Sequence, residues 1–233
     1  MIRRLSIALA ALAPAFAPAL ATAQVGHAPE NSPYLDVPQA TRFGAFAGWY
    51  SAAKDAAGVF PQSKPVYGLR IDTHIGGPAD LTGRVALIET NRHVIDPVQT
   101  AGHRVIETQK ITLTYMDVGL TMNLSGKKSW RGFVPAVFGA VGIVSDYNQA
   151  DVGGFAIGTT FSLGYGLSMR YLPRNSRVAL QASVGSYLYS IRYPDSYYVQ
   201  SSDGTSVLGA NEARTQWHNN WTTTFGLSYA VFK

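Results

Sequence analysis

From residue 41 onward the chain alternates apolar and polar positions with a period of two. The longest run is residues 153–172. One column holds Phe155, Ile157, Thr159, Phe161, Leu163, Tyr165, Leu167, Met169 and Tyr171. The other holds Ala156, Gly158, Thr160, Ser162, Gly164, Gly166, Ser168 and Arg170. Such alternation predicts a β-strand with one apolar face and one small or polar face. Ordinary strands run about 5–6 residues, and a tilted membrane-crossing strand needs about 9–11. This run exceeds both.

The same reading gives eight strand candidates, at 41–51, 65–75, 81–91, 105–124, 131–145, 153–172, 177–193 and 215–232. In the second, Tyr67, Leu69 and Ile71 oppose Arg70, Asp72 and His74. In the last, Trp221, Phe225, Leu227, Tyr229 and Val231 oppose small and polar residues. The parity of 131–145 stays open, and Glu89 falls out of phase, which predicts a bulge or an interfacial carboxylate. Connections alternate. Those at 76–80, 125–130 and 173–176 are short turns on one side, and the others are longer. This is the arrangement of an up-and-down membrane barrel, with short periplasmic turns and longer external loops. The predicted fold is therefore all-β: an eight-stranded antiparallel up-and-down transmembrane β-barrel over residues 41–232.

Ahead of the barrel, residues 1–23 read as a cleaved secretory signal. Arg3 and Arg4 precede an apolar core, and Ala21, Thr22 and Ala23 form a small-residue cleavage site. Residues 24–40 contain three prolines and no periodicity. They read as a periplasmic lead-in that is disordered, or whose Tyr34 and Leu35 cap the lower mouth.

Composition narrows the classes. Charged residues are 14% of the 233, against roughly 25% in soluble domains. Past the leader no apolar run is long enough for a membrane helix. The absence of cysteine removes disulfides, thiolate metal sites and a cysteine nucleophile. The net charge of +5 is scattered rather than gathered into a nucleic-acid-binding patch.

Alternation alone does not say which face meets lipid. Aromatic residues in the apolar column cluster at strand ends: Phe43, Tyr171 and Tyr229 at the short-turn end, and Trp49, Tyr67, Phe155 and Trp221 at the other. This is the pattern of two interfacial girdles. An Arg facing lipid at the midplane costs about 2–4 kcal/mol, so Arg70 points inward. The short turn near Pro78 then predicts a lumenal Asp72–Arg84 pair, joined by Arg70, His74 and Asp117, because lone buried charges are costly.

The C-terminal run Gly226-Leu227-Ser228-Tyr229-Ala230-Val231-Phe232 is similar to the assembly signal that closes outer-membrane barrels. Gly226, Tyr229 and Val231 take the expected spacing, while Phe232 and Lys233 extend past it. With the leader and eight strands, the chain resembles the small eight-stranded outer-membrane barrels, such as the transmembrane part of outer membrane protein A. The resemblance implies residence in the outer membrane of a two-membrane bacterial envelope. It implies contact with outer-membrane lipids, including lipopolysaccharide-type lipids, and insertion by the barrel-assembly machinery. A monomer is expected, with no nucleic-acid partner.

Candidate chemistry is sparse, and no catalytic residue, metal site or cofactor is expected. His218 sits near Ser186, Ser190, Ser201 and Ser202 along the chain or across strands, so a lipid-modifying site on the outer rim is one reading. An interfacial His-Asn cluster is the other. No G-x-S-x-G nucleophile motif occurs. His93 and His103 flank a loop with Asp96 and Glu107, in no recognised metal spacing. Tyr187, Tyr189, Tyr193, Tyr197 and Tyr198 read as girdle and loop packing by default, with a sugar- or lipid-contacting surface as the other reading. A small-solute channel is the third reading. Eight strands leave room only for side chains, and the small wall of Gly158, Ser162, Gly164 and Gly166 must be filled by bulky neighbours if the lumen is closed. The leading expectation is a non-enzymatic envelope-structural or surface-interaction role.

Overall fold

The computed structural model describes residues 32–148 and 150–232. The signal reading for 1–23, and the lead-in up to 31, lie outside these residues. Among the described residues there are ten strands. They are β1 (Tyr34–Asp36), β2 (Thr41–Ser51), β3 (Lys64–Gly76), β4 (Ala79–Ile95), β5 (Val105–Asn123), β6 (Lys128–Trp130), β7 (Phe133–Ser145), β8 (Thr159–Tyr171), β9 (Val178–Arg192) and β10 (Thr215–Phe232). Eight of them close an antiparallel ring in the order β2-β3-β4-β5-β7-β8-β9-β10 and back to β2. Closure pairs every barrel strand on both sides, the condition for strands to stand in hydrocarbon. Among the described residues no helix is long and apolar enough to cross a membrane.

Register follows the alternation. Val85 opposes Leu69 and Met116, and Leu227 opposes Ala45 and Leu180, so each apolar column stacks against another. These columns face outward: Leu69 and Phe225 are each 67% exposed and Leu167 is 63% exposed. A continuous apolar belt of this kind is stable against lipid and not against water. The open parity of 131–145 resolves with Val141 and Ile143 outward and Val134, Ala136, Phe138 and Val144 inward. Glu89 remains in register against Thr112 and pairs with Lys110 at 2.9 Å on the surface; the bulge lies instead at Val94/Ile95. The β3–β4 turn runs through Gly76 (φ 141) and Gly77 (φ 57), conformations that favour glycine.

Two expectations are corrected. The run 153–172 is not one strand. β8 begins at Thr159, after Gly158 at φ 61 has turned the chain. Phe155 therefore lies in the loop, outside any girdle. Nor do the described residues of the lead-in trail away: β1 pairs antiparallel with β6 across the short-turn mouth, Leu35 against Ser129. The Ser129 hydroxyl donates to the Leu35 carbonyl at 3.1 Å, and Lys128 meets Asp36 at 2.6 Å. Val37 packs onto Val134, Leu172 and Ala179.

Candidate functional site

The interior holds two layers of opposite character. The lower one, toward the short turns, is ionic. Arg70 donates through Nε to both Asp72 oxygens at 2.8 Å, and the Thr82 hydroxyl donates to the same carboxylate at 2.6 Å. Arg84 Nε donates to Asp117 at 2.9 Å. Arg170 donates to Asp80 at 3.2 Å, and His74 Nδ1 lies 3.2 Å from the same carboxylate.

All five residues read as lumenal from the sequence are thus lumenal, but the partners differ. Asp72 and Arg84 do not pair. Arg70 stands directly across from Arg84, and Asp72 across from Thr82. Asp72 is taken by its own strand neighbour two residues away, while Arg84 reaches Asp117 across the β4–β5 ladder, where the two are in direct register. His74 joins Asp80 rather than Asp72. Asp80, Arg170, Thr82 and Arg42 were missed as members, although each has inward parity. Asp80 falls in the predicted turn 76–80, and Arg170 stands in the polar column, but period two does not show that it reaches Asp80 across the lumen.

The upper layer is apolar and aromatic. Tyr50, Phe60, Ile88, Leu113, Tyr115, Tyr187 and Tyr189 are buried in one cluster with Phe155, Tyr193, Tyr197 and Leu208 from the long loops. Loop 52–63 bends back over the mouth, so that Phe60 stacks on Tyr189 at 5.5 Å and on His218 at 4.6 Å. Tyr50 donates to Asn220 at 3.0 Å, and its hydroxyl lies 3.1 Å from that of Tyr189.

The junction between the layers explains the small wall of β8. A Cβ built on Gly166 would lie 2.8 Å from Phe138 Cε1, and one on Gly164 would lie 2.9 Å from Tyr187 Cε1. Those two rings lean into the glycine wall and hold the Arg84 guanidinium, 4.6 Å from the Phe138 centroid and 5.4 Å from that of Tyr187. A cavity of about 50 Å³ remains here, bordered by Arg70, Asp117, Gln181 and Tyr115. A volume of that size holds a few waters at about 10–15 Å³ each.

Above the ring the long loops lock together. Arg92, fully buried, donates to Asp151 at 2.7 Å and to Gln109 at 2.9 Å, and lies 5.3 Å from the Phe155 centroid. Phe155 stacks with Tyr193 and Tyr197 at 6.1 and 6.3 Å. Tyr193 and Tyr197 thus form an internal floor of the loop layer, and only Tyr198 of the five tyrosines is near the surface. Arg104 donates to the Ser206 and Thr205 carbonyls, each at 2.7 Å. Asp203 accepts from the Ser201 and Thr205 hydroxyls at 2.6 Å and from the Ala101 amide at 2.9 Å. These hydrogen bonds, Ser201's first, hold its carboxyl well below the usual carboxylate range.

His218 and Ser186 lie on opposite faces of the barrel wall. His218 has inward parity with Asn220 and stacks on Phe60, whereas Ser186 has outward parity with Val184 and bonds Asn219. Period two puts adjacent positions on opposite sides of the wall. Ser190 shares the outward parity of Ser186, and Ser201 is occupied by Asp203 in the loops. His93 and His103 bond Thr108 and Thr100, each at 3.3 Å. Among the described residues no three potential ligands gather around a metal position.

Phe155 apart, the aromatic residues of the apolar column lie on the outer wall. Trp49, Tyr67 and Trp221 are exposed toward the long loops, and Phe43 and Tyr229 toward the short turns. Tyr171 is half-buried and lies 4.8 Å from the Phe133 ring. Gly226 faces inward against Phe46, where a Cβ would come within 3.0 Å of the Phe46 Cβ. Tyr229 and Val231 face outward, and the Phe232 backbone pairs with Thr41 through a register shift.

No family model and no curated protein matches the chain. Among solved structures it is similar to the outer membrane protein OprG from Pseudomonas aeruginosa, at 14% identity and a TM-score of 0.45, covering 84% of this chain and 98% of that one. It is also similar to a major outer membrane protein from Thermus thermophilus, at 11% identity and a TM-score of 0.40, covering 82% of this chain and 98% of the other.

Proposed function

We propose that this chain is an integral outer-membrane barrel with a non-enzymatic role, serving as a closed scaffold in the envelope or as a surface that presents its loop layer to other molecules. The observation that carries this reading is the filled lumen. The Arg84–Asp117 pair, with Phe138 and Tyr187 against the guanidinium, spans the middle, and the aromatic cluster around Tyr50 and Phe60 covers the upper mouth. Arg92 and Arg104 stiffen the loops above, which suits a surface held in one shape rather than a mobile gate. The opposed parity of His218 and Ser186 favours the non-enzymatic reading over lipid modification. In this reading residues 1–23 direct export, and Gly226, Tyr229, Val231 and Phe232 present the chain to the barrel-assembly machinery. The monomer sits among outer-membrane lipids, including lipopolysaccharide-type lipids.

Three measurements test it. The chain should fractionate with the outer membrane and show heat-modifiable gel mobility, and a soluble periplasmic product would refute the placement. Reconstituted in planar bilayers it should give no single-channel steps; regular steps would replace the scaffold with a small-solute channel. Lipid A from cells expressing wild type and H218A should be identical, and a His218-dependent change would establish an enzyme.

A further inference from the structure

The ionic layer does not balance. Arg70, Arg84 and Arg170 each have an aspartate, respectively Asp72, Asp117 and Asp80. Arg42 is the fourth arginine of this layer, 2% exposed; Asp72 stands across the ladder from it, but neither that carboxylate nor Asp80 forms an ion pair with it. Its side chain makes no hydrogen bond or ion pair with any described residue, and its Nη1 is buried without a partner. Asp72 is occupied by Arg70 and Thr82, and Asp80 by Arg170 and His74. An unmatched guanidinium out of water is costly unless an anion reaches it.

Arg42 opens onto a cavity of about 530 Å³ at the short-turn mouth. The walls are the β1 segment, the end of β10 and the 172–177 turn, which brings Arg174 and Arg177 to the rim. Asp36 also lines the cavity, but its carboxylate is held by Lys128 at 2.6 Å. The lining therefore presents three arginines, and its one carboxylate, Asp36, is paired with Lys128.

We propose that this mouth binds a phosphate-class oxyanion, with Arg42 at its base and Arg174 and Arg177 at its rim. A guanidinium matches the paired oxygens of phosphate in a planar, bidentate geometry. The phosphate has two possible sources, a free ion or the headgroup of a phospholipid of the adjoining leaflet. The inference rests on the barrel's own geometry and stands whether or not the scaffold role above is right.

The test uses the mature chain. In phosphate-free maltoside micelles, titration with inorganic phosphate should give saturable binding by calorimetry. R42Q should weaken it by about 10–100-fold, the loss of a charge-assisted contact. The double variant R174Q/R177Q, altered only at exposed positions, should weaken it severalfold and supplies the test if R42Q fails to fold. In nanodiscs containing phosphatidylglycerol, native mass spectrometry should show one retained lipid, lost in R42Q and displaced by phosphate, if the source is a headgroup. Arginine-dependent binding in either arm supports the site and names its source. Binding in neither arm, or equal binding by wild type and both variants, overturns it.

Discussion

Replacing Asp117 with Asn removes the carboxylate that forms an ion pair with Arg84. The pair is 2.9 Å apart, and its side chains are 8% and 7% exposed. Deleting one partner of such a buried pair costs about 3–5 kcal/mol, because the remaining charge stays where water cannot reach it. Two features place D117N near the lower end. The Asn carbonyl still accepts from Arg84 Nε, and the Phe138 and Tyr187 faces still hold the guanidinium. The expected loss is about 3 kcal/mol, a fall of about 1–3 M in the urea midpoint at ordinary slopes. The assay is urea unfolding of protein inserted in lipid vesicles, followed by tryptophan emission. Trp49, Trp130, Trp217 and Trp221 are about half exposed on the outer surface and report transfer to water. The double variant R84M/D117N removes both charges and keeps an apolar stem against the two rings, so it should recover most of the loss. A midpoint unchanged in D117N, or a double variant no better than the single, would refute the assignment of this pair as the ionic bolt of the lumen.

Other outcomes follow from the same geometry. L167R sets a cation on the lipid face and should cost about 2–4 kcal/mol in vesicle unfolding, whereas a soluble barrel would tolerate it. F155A empties the fully buried centre of the loop layer, a loss of about 3–5 kcal/mol if its neighbours do not collapse; protease should then cut the loops while heat-modifiable mobility of the barrel persists. The Asp203 latch has a signed pH dependence. Its folded value is depressed, so its contribution is full above the unfolded aspartate value near about 4 and is lost as pH falls below that. Pepsin cleavage in 96–104 or 193–214 should therefore accelerate at pH 3 more in wild type than in D203N, measured against hydrogen exchange at pH 7.

The barrel was legible because its solvent is simple. Lipid outside and side chains inside impose a two-residue alternation on every barrel strand, and seven of the eight candidates reappear within a few residues of their predicted ends, while the sixth begins only at Thr159. Failures fell where that alternation stops. Phe155 continued the apolar column on paper, yet Gly158 turns the chain and Phe155 is drawn into the loop layer. Tyr187 and Tyr189 had the composition of a girdle and the parity of the lumen, and parity decided.

Alternation in this sequence marked out the eight barrel strands, and the strand-end aromatics with the cost of a lipid-facing arginine set the inward position of Arg70, Asp72, His74, Arg84 and Asp117. Which acid meets which base depends on cross-strand register and on side-chain reach, and only the tertiary structure fixed it. Asp117 is directly across the β4–β5 ladder from Arg84, and Asp80 meets Arg170 across the lumen, from residues ninety positions apart. The closed ring also left Arg42 without an ion pair, because a charge imbalance inside a barrel exists only once all eight walls are in place.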